Sequence, residues 1–187
     1  MRGLLSLGAA LGFLTSAPSS HADPEWNVAA QTSLCALGDS THIWQKTQFC
    51  GAIRGDVLFG RDRNADFALG PYVSLGTAKF ADARYGAGLT LLAPTFSGDF
   101  PLTLSAGAAS RDFDDARIAG QLFFGLRSHN FHGSYAMASG IVLGGDQSVS
   151  ADHAHTFYLG LQIDGLWLAL PFIFGYEWLK PSPDPGD

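Results

Sequence analysis

From Trp26 onward, large apolar residues fall on every second position, and the positions between them hold mostly glycine, alanine, serine and threonine. Successive side chains of a strand point to opposite faces. The pattern therefore writes strands with one bulky apolar face and one face of small residues. In the first segment, Trp26–Cys35, Trp26, Val28, Ala30, Thr32 and Leu34 oppose Asn27, Ala29, Gln31 and Ser33. Seven more follow: Phe49–Gly60, Phe67–Lys79, Tyr85–Ala93, Phe100–Ala108, Ile118–Ser128, Tyr135–Leu143 and one opening at Thr156, with Phe123 breaking the alternation in the sixth. Glycine, 23 of 187 residues, recurs through the apolar parts and disfavours helices there.

A soluble sandwich turns charged side chains to water along its strands. Here charged residues are only 15% of the chain, against about 25% in ordinary soluble domains. Most of them sit in turns such as GRDRNAD, SRDFDDAR and GGDQSVSADH. Apolar outside with small, mildly polar residues inside is the pattern of a transmembrane β-barrel. A closed sheet leaves no backbone group unpaired in lipid. The longest apolar run, Gly165–Gly175, contains Pro171 and falls short of the ~20 residues a spanning helix needs. A net charge of −6 argues against nucleic acid, whose phosphates need a basic footprint.

The amino terminus reads as an export signal. Arg2 is followed by the charge-free stretch Leu4–Leu14, then by Pro18 and the small-residue site Ser20-His21-Ala22. Cleavage is expected before Asp23, making residues 1–22 a signal peptide. Export places Cys35 and Cys50 in an oxidising compartment, where a disulfide between them forms and persists. The polar stretch between them would become a long loop clamped at its base.

The signal segment, the alternating strands, the turn spacing and the aromatic end Phe174-Tyr176-Trp178 together resemble the small outer-membrane β-barrel proteins of Gram-negative bacteria. The resemblance is architectural and spans the whole mature chain. It implies an all-β, single antiparallel up-and-down transmembrane barrel in the outer membrane. Its implied partners are membrane lipid, lipopolysaccharide and the barrel assembly machinery. The aromatic end departs from the family pattern, because LKPSPDPGD follows it.

Strand number turns on what happens after Ile163, where Leu166, Leu168, Leu170, Phe172, Phe174, Tyr176 and Trp178 take the opposite parity. A bulge at Asp164-Gly165 keeps one strand running, whereas a hairpin there starts another. Bacterial single-chain barrels have even strand numbers, so the reading is eight strands with a bulge. Ten is the alternative, with a strand hidden in Leu37–Thr47. The barrel then covers 23–179 and a Pro-rich disordered tail covers 180–187. With both termini periplasmic, the external connections are Ala36–Gln48, Phe80–Ala83, Asp112–Ala116 and Gly144–His155. The inner turns near Asp62, Asp99 and Asn130 are expected to be short.

Arg54, Asp56, Gln121, Arg127 and Asp164 fall on the inward face. An eight-stranded lumen is just wide enough for side chains to fill, and buried opposite charges pair because a lone one is costly. A polar plug is the expectation, and a narrow ion path the alternative. His153 and His155 lie beside Asp152, and His129 lies near His132, at opposite barrel ends, so neither pair completes a metal site. No metal or cofactor is expected. Ser148, Ser150, His153 and His155 share one external loop, as lipid-A-modifying barrel enzymes would need, but no motif of those enzymes surrounds them. A soluble periplasmic barrel of lipocalin type would need the apolar face inward. The function read from all this is a structural or surface-interaction role, without catalysis.

Overall fold

The structure is a computed structural model that describes residues 23–95, 98–129, 131, 133–150 and 153–180. Eight strands follow one another: β1 (Glu25–Gly38), β2 (Lys46–Leu58), β3 (Ala68–Ala78), β4 (Arg84–Ala93), β5 (Leu102–Arg111), β6 (Asp115–Arg127), β7 (Ala138–Ser148) and β8 (His155–Asp164). Each pairs antiparallel with its neighbours, and β8 returns to β1 to close the barrel. The alternation holds along every strand. On β2, Cys50, Arg54, Asp56 and Leu58 are buried inside, while Phe49, Ile53 and Phe59 face outward. Phe123 points inward against Ala138 and Val142. Its ring reaches over Gly140, diagonal to it on β7, where a Cβ would meet it at 3.0 Å. Gly125 and Gly140 also pair so closely that a Cβ on Gly125 would lie 2.4 Å from the Gly140 Cα, which only glycine permits.

The outside carries an apolar belt with aromatics at both ends. At the end where β1 begins and β8 ends stand Trp26, Phe59, Phe67, Phe100 and Phe131, with Trp26 edge-on to Tyr135 at 4.7 Å. At the other end Phe49 stacks on Phe80 and Tyr85 on Phe113. Phe49 and Phe59 bracket β2. Ten residues at about 3.3 Å each, on a strand tilted by about 40°, rise about 25 Å, the height of a bilayer's apolar band.

Three expectations need correction. The chain does not continue as a strand past Asp164: Gly165–Leu179 is a helix, α1, and the barrel ends at Asp164 rather than at 179. Asp164 caps it, accepting from the Leu166 N–H at 2.8 Å. The inner turns are not short. They span 59–67, 94–101 and 128–137, longer than the outer connections 39–45, 79–83, 112–114 and 149–154, because they fold inward to floor the lumen. Three of the four outer connections are shorter than expected because strands run into them, and the second, 79–83, is one residue longer; Gly144 and Gly145 lie within β7. Among the described residues no helix is long and apolar enough to cross a membrane, which says nothing of a barrel that crosses with strands. The expected signal peptide and most of the expected tail lie outside the described residues.

Candidate functional site: the lumen and its two ends

The middle of the lumen is a layer of charge. Asp56 accepts two hydrogen bonds from the Arg127 guanidinium, at 2.5 and 3.3 Å. Arg54 Nε stands 3.7 Å from the same carboxylate. The Arg54 guanidinium also donates to Thr90 Oγ1 (2.6 Å) and Ser105 Oγ (2.7 Å), and lies 3.9 Å over the Tyr72 ring. These groups come from five strands, and all three charged residues are buried. Low dielectric makes each pairing strong and each orphan expensive. The Asp56–Arg127 pair spans the bore from β2 to β6.

Below it the inner turns form a floor. The Arg61 side chain, 1% exposed, reaches in from the first turn to Glu25 Oε2 at 3.1 Å. It also donates to the carbonyls of Arg127 (3.1 Å) and Ser128 (3.3 Å). Glu25 also meets the His129 ring. Asn64 ties the three turns together, donating to Asp99 (2.5 Å) and accepting from the His129 N–H (3.0 Å). Nothing in the sequence marks Arg61 as inward, since it lies past the end of β2 in a turn.

Asp164 sits at the same end, fully buried, and meets no cation within salt-bridge distance among the described residues. Its carboxylate instead accepts from Asn27 Nδ2 (2.7 Å), the Tyr135 hydroxyl (2.6 Å), the Ala138 N–H (2.8 Å) and the Leu166 N–H (2.8 Å). The expectation that it pairs with an opposite lumen charge is thereby replaced. β1 runs past the end of β8 here, and residues 134–136 lie beside it: the Trp26 N–H donates to Ser134, and the Ala136 N–H to Trp26, both at 2.9 Å.

Above the charged layer the lumen opens into a cup of about 110 Å³, room for a few waters. Gln31, Ser33, Arg84, Gln121, Asp146 and Tyr158 line it among others, so Gln121 belongs to the cup and takes a bond from the Tyr158 hydroxyl at 3.1 Å. Cys35 and Cys50 also reach it, joined as a disulfide. Both face inward from the wall, Cys35 on β1 and Cys50 on β2, below the outer connection 39–45. The rim carries Arg84, Arg111 and Arg117 against Asp82, Asp115 and Asp146. Arg84, Arg117 and Asp146 share the inward parity of Gly86, Gln121 and Gly144, a signal that could have placed them.

An apolar exterior wraps a charged, filled interior. The chain is a closed eight-stranded, antiparallel up-and-down barrel. No family model matches it, and no curated protein does. Among solved structures it is similar to Ail, the attachment invasion locus protein of Yersinia pestis, in complex with the heparin analogue sucrose octasulfate. Identity is 11% and the TM-score 0.43, covering 76% of this chain and 99% of that one.

Among the described residues, Ser148 is not paired with a histidine. Its Oγ bonds Asp115 and Ser150, both at 2.5 Å, while His155 Nε2 is 3.1 Å from the Ile43 carbonyl. Among the described residues no three His, Cys, Asp or Glu side chains gather as a metal site.

Two rim carboxylates are held as anions. Asp39 accepts from the Thr41 hydroxyl (2.6 Å) and N–H (2.8 Å), the His42 N–H (3.0 Å) and Gln45, which keeps its pKa far below the usual range. Burial pushes Asp82 up, but the Ala78 N–H (2.5 Å), Arg84 (3.1 Å) and Arg111 (3.0 Å) outweigh it and lower its pKa. A depressed folded pKa stabilises above the unfolded value of about 3.9 and is lost as pH falls through the folded value. Protection of the Ala78, Thr41 and His42 amides should therefore fall below about pH 4 while mid-strand Ala106 stays protected. Rim amides that keep full protection down to about pH 2 would show that these carboxylates do not hold the loops.

Replacing both cysteines with serine should lower stability by about 2 kcal/mol, the lower part of the usual range, since the bridge joins strands already paired. Urea midpoints measure the loss, and the sheet signal in circular dichroism should persist. Collapse of that signal would mean the barrel depends on the bridge to close.

Proposed function

We propose that this chain is an outer-membrane barrel with a sealed lumen, serving a structural or contact role at the cell surface rather than passing solutes. The observation that carries this reading is the inverted polarity: Ile53, Leu75, Leu89, Ile141 and Leu161 are more than half exposed, while Arg54, Asp56, Arg61 and Arg127 are buried within. Water outside would leave that whole belt solvated, far beyond the apolar patches soluble monomers carry. Lipid outside makes the same belt the favourable surface. The export signal read in residues 1–22 fits that address. Membrane lipid, lipopolysaccharide and the barrel assembly machinery are the partners this reading implies.

A sealed middle layer leaves the outer loops and the shallow cup as the parts available for contact. The test combines two measurements on the full-length chain expressed in bacteria. Its mature form should fractionate with the outer membrane and shift mobility on an unboiled gel. Reconstituted in planar bilayers, it should give no discrete conductance steps. Recovery from the soluble periplasm without a shift overturns the membrane reading; resolved single-channel steps overturn the sealed lumen.

A further inference from the structure

Helix α1 leaves the barrel at its inner end and presents apolar side chains on every side. Leu166, Ala169 and Leu170, three and four residues apart, are half-buried beside β1 and β8. Trp167, Leu168, Phe172, Ile173, Phe174, Tyr176, Trp178 and Leu179 are exposed around the rest of the circumference, Trp178 at 87%. An amphipathic surface helix has a charged face, whereas the one charged residue of this helix is Glu177, in its last turn. At 15 residues it is about 22 Å long, too short to cross a bilayer.

Water is the wrong solvent for such a segment. Pro171 removes a backbone hydrogen bond and Gly175 adds chain entropy, so a helix this short with little packing is not held by its own propensity. Hydrocarbon holds it, because an unpaired backbone group there costs several kcal/mol. The helix also begins where the belt ends: it packs beside Val28, and Trp26 and Val28 face outward at that rim. Its apolar surface is continuous with the belt. Tyr176, Trp178 and Lys180 then bring interface-seeking groups to its far end.

We propose that α1 lies immersed in the periplasmic leaflet of the membrane, covered by lipid acyl chains, as an anchor beside the barrel. This rests on the membrane reading above, so the experiment reads the belt and the helix separately. The mature chain is folded into vesicles of phosphatidylcholine with brominated or unbrominated acyl chains. One variant, Trp26→Phe with Trp44→Phe, leaves Trp167 and Trp178 as the only emitters. A second replaces all four tryptophans with phenylalanine and adds Leu75→Trp in the belt. Both should lose most of their emission in the brominated vesicles. If the belt reporter is quenched and the helix pair is not, the helix proposal fails and the barrel reading stands. If neither is quenched, the membrane reading itself fails. Weak helix quenching together with a dimer-sized species in density-matched sedimentation assigns the helix to a second copy and overturns the lipid assignment. The unaltered chain supplies a check that needs no variant. In lipid nanodiscs, open on both faces, chymotrypsin should spare Phe172 to Trp178, and rapid cleavage there overturns the proposal.

Discussion

Ile53→Arg will destabilise the barrel by about 2–4 kcal/mol in lipid vesicles, read from urea unfolding followed by tryptophan emission. Ile53 is 58% exposed and sits midway along β2 between Phe49 and Phe59, the two aromatics that mark the ends of the belt. An arginine there must either enter hydrocarbon or bend its guanidinium out to a distant interface. The same substitution at Ile43, in the outer loop, should stay within about 0.5 kcal/mol, as surface changes usually do. Phe59, at the belt's edge, should fall between the two. Depth dependence is the content of the prediction. A flat response across Ile53, Phe59 and Ile43 would mean that water, not lipid, surrounds the sheet.

Asp56→Ala should cost about 3–5 kcal/mol, because it removes the one carboxylate that Arg54 and Arg127 both approach and leaves two buried guanidiniums facing each other. Arg54 keeps Thr90, Ser105 and Tyr72, but Arg127 loses its bidentate partner. Adding Arg127→Met to Asp56→Ala should recover much of the loss, since removing an ion pair whole is often neutral. The urea midpoint distinguishes the outcomes. A single variant within about 0.5 kcal/mol of the parent would show that water reaches the layer and screens it, and the lumen would no longer count as sealed.

The barrel was legible in the sequence because parity is local: Trp26, Val28 and Leu34, or Leu159, Leu161 and Ile163, declare their face two residues at a time. The helix was not, for a specific reason. Between Leu166 and Phe174 nearly every residue is apolar, so a period of two and a period near 3.6 are satisfied at once. Asp164, just before that run, caps the helix, but the change of parity at Asp164-Gly165 reads equally as a bulge. The inward turns were illegible for a different reason. Arg61 acts through a chain reversal, and no periodicity survives a turn. Parity also says that Arg54, Asp56 and Arg127 share an interior without saying who meets whom. Arg127 reaches Asp56 from 71 residues away, a pairing set by strand tilt across the bore.

The cluster around Asp164 joins Asn27 near the start of the barrel, Tyr135 from the last inner turn, Ala138 at the start of β7, and the end of the last strand. The contacts with Asn27 span 137 and 109 residues. Contacts so distant in sequence form late, because the intervening chain must first be laid out. Leu166 is local and Tyr135 and Ala138 arrive with β7, but the Asn27 bond cannot form until β1 and β8 meet. That bond acts as a latch on the finished ring, and a chain stalled with an open seam would leave the carboxylate one donor short where β1 and β8 should meet.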